Sequence, residues 1–216
     1  MGQKKKKQHF VPKLYLRNFT NSSGKIFAFD LQENKSFPTT VDNIAHDRYF
    51  YDFEPIDSYV GEQVIENSLA DFEGDAAELL DKMLQRLDNG SLEGHTPEER
   101  ILLAEYISIQ MHRTPESRKK YEHFGIELER QLKAKGVSGE FIKQRGLSQE
   151  SIDPKTLQLY GLTSMMSSKK RILSLCDRIW VYWENLTQHE FYASDHPVVG
   201  YTYRDVSETA YEIFSP

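Results

Sequence analysis

The stretch Thr96-Pro97-Glu98-Glu99, followed by the run from Ile101 to Met111, constrains this chain more than any other. A threonine N-cap, a proline in the first turn and a glutamate three residues past the cap together mark a helix start. The rod behind them, reaching to about Arg113, is apolar on nearly every side. A helix without a polar face has to be enclosed, so this one is expected at the centre of the fold.

The neighbouring segments supply the enclosure. From Asp57 to about Leu87, the residues Ile65, Leu69, Phe72, Ala76, Leu79, Leu80, Met83 and Leu87 keep the i, i+3/i+4 spacing of one stripe. That spacing predicts a single long amphipathic helix, bent at Gly74 and ended by Asn89-Gly90. A charged, peripheral helix is expected from Pro115 to Lys135, a loop from Gly146 to Asp153, and a further helix from Pro154 to about Arg178. Ahead of these, Pro12 opens a short buried helix with Val11, Tyr15 and Phe19 on one side. Lys25–Leu31 and Ser36–Val41 read as a hairpin, and Arg48–Tyr51 as a third strand. Late in the chain, Ile179–Glu184, His189–Ala193 and Val198–Tyr203 have the aromatic and β-branched composition of strands. With strands at both ends and helices between, the expected fold is α+β, with the helical middle block packed on a sheet built from N-terminal and C-terminal strands.

At 216 residues and 38% hydrophobic content, the chain suits one domain, expected over residues 9–216 behind a basic flexible arm at residues 1–8. No apolar run approaches the roughly 20 residues of a membrane span. Lys4 to Lys7 have no apolar segment behind them, so a secretory signal is not expected. The single cysteine, Cys176, has no internal partner for a disulfide and reads as a buried, inert thiol in a reducing cytoplasm. The net charge of −6 hides an asymmetry: His9 aside, every residue charged at pH 7 before Asp30 is a lysine or an arginine, whereas Asp52 to Glu93 is strongly acidic. A basic arm attracts phosphates and an acidic body repels them, so a long nucleic-acid groove is not implied.

Several polar groupings could carry chemistry. Glu105, Ser108 and His112 form a polar stripe on the otherwise apolar central rod, with Arg113 beside it; a pocket wall and a solvent-facing or helix-bonding stripe are both open readings. Glu62 and Glu66, with Glu73 further along, project carboxylates suited to a divalent metal, or else complement the helix dipole. Ser194-Asp195-His196-Pro197 is either a turn or a displayed carboxylate and imidazole. His9, just before the Pro12 helix, is a cap, a metal ligand or a base. No Walker A loop, dinucleotide-binding turn, HExxH, paired CxxC or GxSxG occurs.

The segment Gln8-His9-Phe10-Val11-Pro12-Lys13-Leu14-Tyr15-Leu16-Arg17-Asn18-Phe19 closely resembles the opening of the domain of unknown function 4238 family, found largely in bacteria. Asn43 before the aromatic run ending at Tyr51, Arg113-Thr114-Pro115 and Ser194-Asp195-His196-Pro197 follow in matching order, so the resemblance covers nearly the whole chain. It implies no reaction, but it points to His9, Glu62, Arg113 and Asp195. Family members look longer at the C-terminus, which leads to the expectation that a final strand or helix is missing after Ala210–Phe214.

Two functions are expected from these residues. In the first, a metal-assisted hydrolase acts on a phosphate-containing substrate, nucleic acid or nucleotide. Glu62, Asp195 and His9 hold a divalent metal or His9 serves as base, and Arg113 neutralises developing charge. In the second, the same residues form a buried polar network in a non-catalytic binding or regulatory module.

Overall fold

The computed structural model describes residues 4–91, 94–202 and 211–214. The N-terminal part holds β1 (Lys7–His9), α1 (Lys13–Leu16), β2 (Ile26–Asp30), β3 (Lys35–Thr39) and β4 (His46–Arg48). The helical block follows as α2 (Glu54–Val60), α3 (Val64–Asp88), α4 (Pro97–His112), α5 (Pro115–Ala134), α6 (Gly139–Gln144), α7 (Pro154–Ser167) and α8 (Lys169–Cys176). It ends with β5 (Val199–Thr202) and β6 (Tyr211–Phe214).

Helix α4 is central, as its all-round apolarity requires. It packs against α3, α5, α7 and α8. On one side Leu103 and Tyr106 meet Ala76 and Leu79 of α3; on another, Ile109 joins Ile65, Leu69, Leu159 and Leu162. Its start carries the full capping box, with Thr96 Oγ1 accepting from the Glu99 amide and the Glu99 carboxylate accepting from the Thr96 amide.

The α+β class is borne out, with strands in three small antiparallel sheets, β1–β4, β2–β3 and β5–β6. Among the described residues the strands from the two ends of the chain keep to separate sheets. The expected hairpin is β2–β3, paired from Ile26↔Thr39 to Asp30↔Lys35. Its Phe27 and Phe29 stay exposed, because among the described residues no layer covers that face.

Several segments depart from their sequence pattern. The single helix expected from Asp57 is two: Gly61 at φ 137° and Gln63 at φ 55° separate α2 from α3, and Asp57 bridges the gap by accepting from the amides of Phe53 and Val64. Apolar periodicity runs on across such a break, which makes it invisible to a stripe. Gly74 interrupts nothing. The helix expected from Pro154 is divided at Ser168, and the loop before it contains a short 3-10 turn, Gln149–Ser151. Ile179–Glu184 and His189–Ala193 form no strand; Ile179 and Trp183 are 93% and 84% exposed. Composition favours extended backbone, but a strand also needs a partner to take its hydrogen bonds.

The basic run is part of the fold from Lys5 onward. Gln63 holds the Lys5 backbone with both ends of its amide, at 2.8 and 2.9 Å, and Gln8 is fully buried in β1. Cys176 is half-buried, and its thiol lies 3.7 Å from the Arg100 carbonyl. Among the described residues no helix is long and apolar enough to cross a membrane.

Candidate functional site: a basic cleft between the N-terminal segment and helix α3

The segment Gln8 to Val11 is clamped by side chains from distant elements. Gln8 Oε1 accepts from the Tyr51 amide at 2.6 Å, and Gln8 Nε2 donates to Asp52 at 2.6 Å. Gln110 of α4 donates to the Phe10 carbonyl at 2.9 Å. Arg113, just past the end of α4 and 2% exposed, donates through Nη2 to the His9 carbonyl at 2.6 Å, through Nη1 to Glu73 at 2.7 Å and through Nε to Tyr51 Oη at 3.1 Å. Tyr51 Oη in turn donates towards the carbonyls of His9 and Arg113. Burial pushes the Tyr51 phenol up to about 12, so it stays a neutral donor.

Clamping this segment against α3 leaves a cleft of about 550 Å³. Lys5, Lys7, Lys13 and Arg17 lie along the N-terminal segment, and His9 joins them. Opposite, α3 contributes Glu66, Glu73 and the small residues Ala70, Gly74 and Ala77. Lys5 approaches Glu66 at 3.7 Å. Lys13 pairs with Asp42, and Lys7 donates to Asn43 Oδ1 at 2.6 Å. Burial raises the Glu66 carboxyl, against the opposing pull of Lys5 and Arg113.

His9 and Arg113 of the expected site residues come together here; Glu62 and Asp195 are not among the residues lining the cleft. His9 Nε2 donates to the Val41 carbonyl at 3.0 Å, and the ring stands edge-on to His46 with centroids 5.2 Å apart. Burial, helped by the charge of Lys13, pushes its pKa down to about 4, so its imidazole is neutral at pH 7. Glu62 is on the surface, paired with Lys4 at 3.2 Å. Asp195 is exposed, whereas its neighbour His196 is buried and hydrogen-bonded to Thr114 Oγ1 at 2.6 Å. Glu62, Asp195 and His9 therefore do not surround one point. Among the described residues no group of three or more His, Cys, Asp or Glu side chains is placed to hold a metal ion. Since surface substitutions away from special contacts change stability little, Asp195→Asn is expected to shift it by no more than about 0.5 kcal/mol; a urea midpoint that moves much further would place Asp195 in the core network.

Sequence reasoning passed over the residues that do most to hold this site: Gln8, Tyr51, Gln63, Gln110 and Gln158. Gln158 is fully buried, donating to the carbonyls of His112 and Thr114 and accepting from Arg118 Nε at 2.7 Å. The available signal was a glutamine set inside an apolar helix face, as Gln110 is between Ile109 and Met111 and Gln158 between Leu157 and Leu159. A buried amide needs partners, and so predicts a contact.

A family model described as a protein of unknown function (DUF4238) matches residues 7–214. No curated protein and no solved structure matches the chain.

Proposed function

The chain belongs to the DUF4238 family, described only as proteins of unknown function, and from the geometry of its cleft we propose that it is a binding module for a small phosphate-containing molecule of nucleotide size. One observation carries this reading: five cations, Lys5, Lys7, Lys13, Arg17 and Arg113, line a single concavity against two carboxylates, on a chain whose net charge is −6. Volume supports it, because small-molecule sites typically enclose roughly 300–1,000 Å³. Lys5, Lys7, Lys13 and Arg17 are the groups for the anion. Arg113 is committed to Glu73, Tyr51 and the His9 carbonyl, so its part is to hold the wall in place. The acidic helical body disfavours a long polyanion.

Ala70, Gly74 and Ala77 keep the α3 side of the cleft low. A Cβ built at Gly74 meets nothing within 4 Å. Gly74→Ala is therefore expected to stabilise the free protein by about 0.5–1 kcal/mol, the usual gain over glycine inside a helix. Gly74→Leu extends into the cleft and is expected to weaken ligand binding without unfolding the chain.

The test is thermal unfolding with inorganic pyrophosphate and with a nucleoside triphosphate, at constant ionic strength. A ligand at about 100 times its Kd adds about 2.7 kcal/mol, a rise of roughly 5–10 °C for a chain of this size. The rise should vanish in Lys7→Glu/Arg17→Glu and shrink in Gly74→Leu. An unaltered rise in both variants, or none in the wild type, would sink the proposal.

Hydrolysis of the bound phosphate compound is a second reading, favoured by Glu66, a half-buried carboxyl of raised pKa in the same cleft. In this reading Glu66 would serve as the general base, because among the described residues no three His, Cys, Asp or Glu side chains are placed to hold a metal ion, and Glu62 and Asp195 do not line the cleft. Phosphate release from the bound compound that is lost in Glu66→Gln would establish it.

A further inference from the structure

Glu105 lies outside the basic cleft, near enough to Cys176 for its charge to help raise that thiol's pKa. It projects from the central helix α4 into a nook of about 70 Å³ whose other walls are Phe72, Ile109, Met165 and Met166. This nook shares no residue with the basic cleft. Among the described residues the Glu105 carboxylate makes no hydrogen bond and no ion pair. Burial is the one influence on its pKa, which it raises, and no neighbouring charge contributes. Arg171 comes close to the nook, but its guanidinium engages Met165 Sδ at 3.0 Å.

The carboxylate is half-buried against these apolar side chains, and a cation that met it there would offset the hydration that burial removes. Several half-buried carboxylates of the helical block have such a partner: Glu66 has Lys5, Glu73 has Arg113 and Glu99 has Arg86, while Asp57 is held by the amides of Phe53 and Val64. A leucine at position 105 would complete the apolar wall, so the carboxylate is the one element there that packing does not require. The walls are also of the right kind for an organic cation. An aromatic ring and two thioethers present polarizable surface to an alkylammonium group while the carboxylate takes its charge. The volume accommodates a few heavy atoms and no more.

We propose that the Glu105 nook is a binding site for a primary alkylammonium group, held by the carboxylate of Glu105 and packed against Phe72, Met165 and Met166. Two sources supply that chemistry, a free small amine or the side chain of a lysine, and the size of the nook suits the terminal carbons and nitrogen of either.

The ε-methyl groups of Met165 and Met166 report on the site directly. With the methionine methyls of the full chain labelled with ¹³C, n-propylammonium chloride is titrated at constant ionic strength, with n-propanol as the neutral counterpart of the same shape. Saturable shifts of these two methyls are expected with the amine, at least ten times weaker binding with the alcohol, and loss of the amine response in Glu105→Gln. Glu105→Gln keeps the side-chain volume, and the dispersion of its other methionine methyls shows whether it is folded. Equal responses to amine and alcohol, or an amine response that survives in Glu105→Gln, would reduce the nook to an apolar dimple and overturn the proposal. So would the absence of any saturable shift. A second titration with Nα-acetyl-lysine amide separates the sources: binding as tight as propylammonium identifies a lysine side chain, and exclusion of the bulkier probe identifies a free amine.

Discussion

Replacing Arg113 with alanine is expected to destabilise the protein by about 3–5 kcal/mol, the usual cost of breaking a buried ion pair by removing one partner. For a chain of this size that is a drop of roughly 6–20 °C in Tm. The substitution leaves Glu73, the His9 carbonyl and Tyr51 Oη without the donors they now have, at 2.7, 2.6 and 3.1 Å. It also releases the N-terminal segment from α4. Arg113→Lys should recover little, because one ammonium on a flexible stem cannot meet three acceptors that a planar fork meets together. Glu73→Gln should cost less, about 1.5–3 kcal/mol, since an amide oxygen still accepts from Nη1 but the buried guanidinium loses its counter-charge. The competing expectation belongs to an Arg113 held in reserve for a ligand: such residues are commonly unfavourable to stability, and alanine would then be neutral or stabilising. Urea midpoints of the three variants decide between the two.

The second large effect is acid sensitivity above the carboxylate range. His9, His46, His95, His112 and His196 all have pKa values lowered in the fold, in each case chiefly by burial, His9 to about 4. In the unfolded chain these imidazoles take up protons near pH 6.5. Between there and the folded values the unfolded state binds more protons, so stability is complete above about pH 6.5 and falls as the pH is lowered towards 4. His9 alone is worth about 3 kcal/mol at the foot of that window, and the other four act in the same direction. Glu66 and Glu105, whose pKa values are raised, oppose this by gaining protons first in the folded state. Carboxyls held low by partners, such as Glu99 at about 2, lose their contribution only below the ordinary carboxylate range. Urea midpoints measured from pH 7 down to pH 4.5 should therefore fall steadily, and less steeply in His9→Gln. A flat profile would mean that these imidazoles are hydrated in the fold.

The candidate site was partly legible. The opening motif from Gln8 to Phe19 drew attention to His9, and its place in the fold explains its specificity: Arg113, Gln110 and Tyr51 each hold a particular atom of it. The polarity of Arg113 at the end of an apolar rod was visible as well. Glu66 and Glu73 were picked out with Glu62 as members of one acidic helix, and nothing in their spacing distinguished the two that line the cleft from the one that pairs with Lys4 at the surface. Asp195 and His196 were equally close in sequence to a turn, and only packing turned the histidine inward to Thr114 and left the aspartate outside.

What the amino-acid order determined by itself was local and periodic. The capping box at Thr96, the apolar rod behind it, the stripe of α3, the β2–β3 hairpin and the stops at Asn89-Gly90 and Gly136 depend on neighbours within a few residues. What only the tertiary structure decided was every feature that joins distant positions: the break between α2 and α3 where Gln63 turns to hold Lys5, the absence of strand structure at 179–193, and the separate sheets. The meeting of lysines near the N-terminus with carboxylates on α3 belongs there too. A hydrogen bond or an ion pair needs a partner in space, and whether a polar side chain 40 or 100 residues away arrives there is settled by packing around α4, which no local pattern contains.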